Sequence, residues 1–270
     1  MNASTAILVL GARRPLVLRN TLESLRRQGA IGNVRIWLDG HQSFANQIGL
    51  AEECRREAAQ FALARLTSYN GHVGIEKLML DALRSTLLES ERLIVIEDDC
   101  FPTRSAVRVF ENELDLISRR PDIFSVYGHH FLMPNERETI TRFQGWGWAS
   151  TREKVLPILD ELENCFSLTE PEYLAWVDRH LTADVCARLE VTLPRNPVQV
   201  ARTFFSWDSC TAVLTASRRL LHKKTSRRVI FNCGVGADGG HFHDPTQFRN
   251  PPYNMISPDE VWSVFDDGDE

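Results

Sequence analysis

The chain has 270 residues, 43% of them hydrophobic, and a formal net charge of −5. That length and apolar content suffice to bury a full core in one large α/β domain or two small ones, and they exclude a fibrous or wholly disordered protein. The acidic balance argues against nucleic acid as the main partner. Six cysteines scattered without a CxxC pair fit reduced thiols in a cytoplasmic protein better than a secreted disulfide scaffold.

Residues 6–10 form a short apolar run closed by Gly11, which reads as a first strand; the run is too short for a signal peptide and no basic stretch precedes it. Pro15 sits where a helix begins, with Leu18, Leu22 and Leu25 at helical spacing and Gly29 past its end. Residues 34–38 read as a second strand ending at Asp39-Gly40. A helix over about 43–64 and a third strand over 65–69 follow. The turn Asn70-Gly71-His72-Val73-Gly74 leads into a helix with Ile75, Leu78, Met79, Ala82 and Leu83 facing inward. Residues 93–96 are the kind of apolar run buried on both faces of a parallel sheet. It meets three carboxylates, Glu97-Asp98-Asp99, and Pro102 is expected to stop the strand. A helix over 105–119 and a strand over 123–127 complete an alternation that predicts an α/β, Rossmann-like, mostly parallel sheet flanked by helices.

Beyond residue 128 the alternation breaks down. Gln144-Gly145-Trp146-Gly147-Trp148 suits a loop or edge presenting a flat aromatic wall. Residues 153–189 read as a polar helical insert of two helices parted near Pro171. Asp208 or Ser209 starts a further helix, since both favour N-caps. The stretch from Ile230 to His243 is glycine-rich and too irregular for an element. From Ser257 the chain is acidic and expected to fray. The chain thus divides into two halves of one domain, 1–128 and 129–257, and a flexible tail over 258–270. No apolar stretch is long enough to span a bilayer.

Three adjacent carboxylates after a buried strand repel one another and are costly to desolvate, which is tolerable where a cation or hydroxyl-rich ligand sits among them. In open α/β sheets that edge is where ligands bind. Arg13 and Asp39, just past the first two strands, share it. The set suits a nucleoside diphosphate: Asp39 accepting from a base N–H, Arg13 facing phosphate, and a carboxylate holding a divalent metal between the phosphates. Lys77, early in its helix, reaches a phosphate or is merely solvated. Trp146 and Trp148 offer a platform for a sugar, or pack in the core. Asp208 is a helix cap or, facing a cleft, a general base. His241 and His243 are candidate late metal ligands. The basic residues Arg218, Arg219, Lys223, Lys224, Arg227 and Arg228 suit an anionic acceptor, a membrane surface or an ordinary solvated helix face.

These residues resemble a known family. Residues 6–15 followed by Leu22-Glu23-Ser24-Leu25 resemble the opening of nucleotide-sugar glycosyltransferases of the GT-A fold, and the Asn70–Gly74 turn fits that likeness. Val95-Ile96-Glu97-Asp98-Asp99 resembles the Glu-Asp-Asp form of their metal motif in the N-acetylglucosaminyltransferase I-like group. Gly145-Trp146-Gly147-Trp148-Ala149, then Ser206-Trp207-Asp208, then Asn232-Cys233-Gly234-Val235-Gly236 with a nearby histidine resemble the order in related bacterial family 2 enzymes. The resemblance implies a metal-dependent inverting transferase. Asp99 would hold Mn²⁺ or Mg²⁺, Asp98 and Glu97 would contact ribose and donor sugar, and Asp39 the uracil or thymine. Asp208 would deprotonate the acceptor hydroxyl while the metal stabilises the departing diphosphate. The implied partners are a UDP- or dTDP-sugar and a glycan, lipid-linked or small-molecule acceptor, met in the cytoplasm with peripheral membrane contact allowed. Two rivals remain. One is a nucleotidyltransferase making nucleotide sugars, for which Gly11-Ala12-Arg13-Arg14 is a thin phosphate loop. The other is a non-catalytic sugar-nucleotide-binding protein of the same fold.

Overall fold

The computed structural model describes residues 5–41, 45–132, 137–189, 196–236 and 244–267. Its first half runs β1 (Thr5–Gly11), α1 (Pro15–Arg27), β2 (Val34–Leu38), α2 (Ala45–Ala59), β3 (Arg65–Ser68), α3 (Ile75–Glu89) and β4 (Arg92–Glu97). Here local signal and packing agree. β1 is buried at every position, and α1 opens on Pro15 and turns Leu18, Leu22 and Leu25 inward. Then come β5 (Cys100–Pro102), α4 (Ala106–Ile117), β6 (Ile123–Tyr127), β7 (Thr139–Ile140), β8 (Trp148–Thr151), α5 (Arg152–Phe166), α6 (Glu170–His180) and α7 (Ala183–Leu189). The chain closes with α8 (Pro197–Thr203), α9 (Trp207–Ser217), β9 (Leu221–Lys224), β10 (Ile230–Asn232) and α10 (Pro245–Arg249).

The central sheet has the order β3-β2-β1-β4-β8-β6-β9-β7. β1 pairs in parallel with β2 and β4, and β2 with β3. β8 runs antiparallel between β4 and β6, β9 runs parallel to β6, and β7 antiparallel to β9. Of the eight described strands of this sheet, six therefore point one way, and the α/β fold class expected from the alternation is the one observed. The chain leaves β1 for β2 on one side and returns to β4 on the other. The carboxyl ends of β1 and β4 thus flank a switch point, where such sheets open a crevice. Alternate side chains of β1 feed two cores. Leu8 and Leu10 join α3, α5 and α9 on one face, while Ile7 and Val9 join α1, α2 and α4 on the other. Among the described residues no helix is long and apolar enough to cross a membrane, and all six cysteines are free thiols.

Four expectations are corrected. The Gly-Trp-Gly-Trp segment is a loop only through Gly147: Trp148 opens β8, which lies in the middle of the sheet and not at its edge. Gly147, at φ 68°, makes the bend into it, and Ile230 comes so close that a Cβ there would lie 2.6 Å from its side chain. Pro102 does not stop β4. The strand ends at Glu97, and Pro102 lies in β5, paired antiparallel with β10 in a two-stranded ribbon whose edges tolerate a missing N–H. The insert holds three helices: the expected separation falls just before Pro171, which opens α6, and a further break at residues 181–182 parts α6 from α7. The acidic tail is anchored at least to residue 267. A 3₁₀ turn (Pro258–Ser263), capped by Ser257 and Glu260, buries Val261 and Phe265 in a small cluster with Phe101. Those apolar side chains outweigh the acidic composition that suggested fraying.

Candidate functional site

The turn after β4 is pinned from three sides before any side chain acts. Asp98 N–H donates to Leu10 O at 2.7 Å, Cys233 N–H to Asp99 O at 2.7 Å, and the Thr21 hydroxyl of α1 to Asp98 O at 2.8 Å. Arg14, the residue before α1, lies across this turn. One guanidinium nitrogen donates to Asp99 Oδ2 at 2.7 Å and the other to Asp98 Oδ1. The side chains of Asp98 and Asp99 are 2% and 4% exposed, that of Arg14 17%, so the guanidinium covers both carboxylates toward solvent. Gly11 leaves room for them, since a Cβ there would meet Asp98 Oδ2 at 3.2 Å. Burial pushes Asp98 up to about 6 although Arg14 opposes it. Its Oδ2 is enclosed without a hydrogen-bond partner among the described residues, and that loss of solvation favours the neutral carboxyl. Burial, and after it the charge of Asp99, hold Glu97 well above the ordinary carboxylate range, and Asp208 adds to the effect.

Asp208 arrives from the other half of the chain, in the first turn of α9. The Ser206 hydroxyl and the Ser209 N–H, the latter at 2.8 Å, both donate to its Oδ1. Its Oδ2 has no partner among the described residues, and the residue is exposed. Its charge also acts on Glu76 in the first turn of α3, which burial chiefly raises. Carboxylates from β4, α3 and α9 thus act on one another: Asp208 on both Glu97 and Glu76, and Glu97 also feels Asp98, Asp99 and Arg14. Carboxyl groups with raised proton affinity are candidates for proton transfer and for binding hydroxyls.

The other expected site residues fare unevenly. Asp39 was expected to read a base, but its carboxylate is filled from within. Oδ1 accepts from Gly40 N–H at 2.7 Å and Val73 N–H at 2.8 Å, Oδ2 from Gly74 N–H at 3.2 Å and His72 Nδ1 at 2.7 Å. With about four lone-pair sites taken, it holds the turn over residues 70–74 in place. Lys77 is half-exposed and pairs with Asp81 at 2.7 Å one turn on, the solvated reading of that lysine. Arg13 is half-buried and makes no ion pair with the described residues.

Trp148 is no sugar platform, being 2% exposed and packed between Phe124 and Phe143. Trp146, on the opposite side of the bend, is half-buried and stacks on Phe131 with His129 at its edge. His241 and His243 lie outside the described residues. The basic cluster does not form one helix face: Arg218 pairs with Glu161, Arg219 with Asp184, and Lys223, on β9, with Glu113. For Trp148 the consequence is measurable. Trp148→Ala should cost about 3–5 kcal/mol in urea denaturation. Trp148→Phe should cost under about 1.5 kcal/mol, because the indole N–H is buried without a partner. A Trp148→Ala protein as stable as wild type would contradict the packing.

Sequence reasoning missed Arg14, Glu76 and the two serines that hold Asp208. Two adjacent arginines precede Pro15, and nothing in their pattern tells which one turns toward β4. Ser206-Trp207-Asp208-Ser209 did carry a signal, since serines flanking an aspartate at a helix start supply local donors. The donor chemistry of the acidic turn does not suit a resident divalent cation. Arg14 occupies one oxygen of each aspartate, and among the described residues no group of three or more His, Cys, Asp or Glu is placed to hold an ion.

No protein-family model matches the chain, and no curated protein matches it in sequence. Several solved structures are distantly similar. A mannose-1-phosphate geranyltransferase from Thermus thermophilus is 13% identical, with TM-score 0.44 over 84% of this chain and 76% of its own. A mannosyltransferase from Pyrobaculum calidifontis in complex with GDP-Man and Mn²⁺ is 14% identical, with TM-score 0.40 over 81% of this chain and 76% of its own. A UDP-glucose pyrophosphorylase complexed with UDP-glucose is 10% identical, with TM-score 0.41 over 85% of this chain and 94% of its own. At such distances the likeness says nothing of activity, which is read from the side chains themselves.

Proposed function

We propose that the chain transfers a sugar from a nucleoside diphosphate sugar to an acceptor hydroxyl, with inversion at the transferred carbon. The observation that carries this reading is Asp208, with one oxygen held by Ser206 and Ser209 and the other without a partner among the described residues, near enough to Glu97 at the end of β4 for its charge to help raise that carboxyl. The nucleotide lies along the carboxyl edge of β1 and β4, its diphosphate toward the Arg13-Arg14 loop and the start of α1, where the helix dipole favours anions. Glu97, half-buried and without a hydrogen-bond partner among the described residues, accepts from hydroxyls of the donor sugar. Asp208 Oδ2 takes the proton of the acceptor hydroxyl as its oxygen attacks the anomeric carbon from the face opposite the phosphate. The bond from that carbon to the phosphate oxygen breaks, and the two arginines face the charge that develops on the leaving diphosphate. The acceptor, whether glycan, lipid-linked or small molecule, approaches from the side of α9. The Mn²⁺ or Mg²⁺ anticipated at Asp99 does not enter this reading, because Arg14 already engages that carboxylate.

The test is to incubate the protein with UDP-, dTDP- and GDP-sugars and a panel of hydroxyl acceptors, and to follow the products by ³¹P NMR. Nucleoside diphosphate released only when an acceptor is present is the expected result. Pyrophosphate formed from a nucleoside triphosphate and a sugar 1-phosphate would instead establish the nucleotidyltransferase.

A further inference from the structure

Arg14 stands where the sequence pointed to a metal. We infer that this arginine is the resident cation of the site: it neutralises Asp98 and Asp99 and offers its remaining N–H groups to the donor's diphosphate, so that nucleotide binds without a divalent ion. The inference deepens the function proposed above and rests on it. All four carboxylate oxygens of the pair are accounted for. Asp98 Oδ1 and Asp99 Oδ2 accept from Arg14. Asp98 Oδ2 is enclosed behind Gly11, and Asp99 Oδ1 lies 3.7 Å from Cys100 Sγ. An ion coming from the crevice meets the 17%-exposed guanidinium before either carboxylate and has to displace it.

The guanidinium is also well suited to a second, anionic partner. It carries five N–H donors in a planar fork, of which the aspartates use two, and the fork matches phosphate as well as carboxylate. Its backbone precedes the first turn of the 13-residue α1, so the partial positive charge of that helix end adds to its own. The pinned acidic turn aims it: with Asp98 and Asp99 fixed by β1, α1 and Cys233 just past β10, the arginine they hold is fixed too. A mobile lysine could not be oriented in this way, because an ammonium has no fork to share between two carboxylates.

The experiment titrates UDP, dTDP and GDP into the full chain by calorimetry, once in EDTA and once with Mn²⁺. Separately, Mn²⁺ alone is titrated and read by its electron paramagnetic resonance signal. The inference expects one nucleotide to bind wild type within about threefold of the same affinity in both media. It expects Arg14→Gln to weaken that binding in EDTA by on the order of 10–100-fold, with Arg14→Lys restoring part of the loss. It also expects Mn²⁺ alone to stay free in the presence of wild type. Nucleotide binding that vanishes in EDTA and returns with Mn²⁺ overturns it. So does tight binding of Mn²⁺ by wild type that Asp99→Asn removes. Should Arg14→Gln fail to fold for want of a partner to the buried aspartates, the double variant Arg14→Gln/Asp98→Asn removes one of those charges, and the two wild-type arms still decide. Failure of the broader reading looks different: a folded wild type that binds no nucleotide in either medium rejects the transferase, while the Mn²⁺ titration still judges the cation.

Discussion

Asp208→Asn is expected to lower turnover by about 10²–10⁴-fold while donor affinity changes by less than about threefold. The substitution is nearly isosteric, and its amide oxygen can still accept from the Ser206 hydroxyl and the Ser209 N–H that hold Oδ1 now. What changes is the other atom, where an acceptor becomes an NH₂ group that cannot take a proton. Loss confined to turnover marks a group that acts on the acceptor as the bond forms. Ser206→Ala should do less, because the Ser209 N–H still orients the carboxylate. Stopped assays of turnover alongside calorimetric donor binding separate the two effects. Wild-type turnover in Asp208→Asn, or equal losses of turnover and donor binding, would remove Asp208 from the role of base.

Glu97→Gln is expected to stabilise the protein near neutral pH and to damage function. Burial and the neighbouring carboxylates raise the Glu97 pKa in the folded chain well above its ordinary 4.5. A raised folded pKa means that the folded state holds the proton more tightly than the unfolded one. Its stabilising share is therefore complete below about pH 4.5 and is lost as the pH climbs toward the folded pKa. Glutamine does not titrate, so the advantage of the variant opens above that pH and closes below it. Asp98, raised to about 6, imposes a similar slope on both proteins and largely cancels in the comparison. What the variant removes is the cost of ionising a buried carboxyl beside other carboxylates, and a gain of about 1 kcal/mol or more is expected in urea denaturation near pH 8. Equal stabilities of the two proteins near pH 4 and near pH 8 would show that Glu97 is not strained as described.

Much of the first half was legible because each level of the sequence pointed the same way. Pro15 starts α1, the run over 34–38 is β2, and the run over 123–127 is β6, each with the bounds the pattern implied. The second half was harder for a physical reason. β8 and β10 are four and three residues long, too short for a period to declare itself, and their pairing is decided by partners far away in the chain. The site divides along the same line. Glu97-Asp98-Asp99 announced itself because three carboxylates after an apolar strand are locally anomalous. Arg14 and Glu76 matter only through distant neighbours, Asp98 and Asp99 for the one and Asp208 for the other. Asp39 misled in the opposite direction: its position at a strand end was read correctly, but the backbone donors of the following turn were not foreseeable from residue types.

The place of β8 also bears on how the chain is made. It comes from residues 148–151 yet lies between β4 and β6, which were synthesised earlier. Until it emerges, β4 presents an unpaired edge of Leu93, Ile94, Val95 and Ile96, the kind of edge that recruits other chains. A fragment that stops before β8 is therefore expected to expose this edge and to associate when expressed alone. A nascent chain halted before Thr151 is a natural client for chaperones, and a split of this protein into two fragments has to carry β8 with the first.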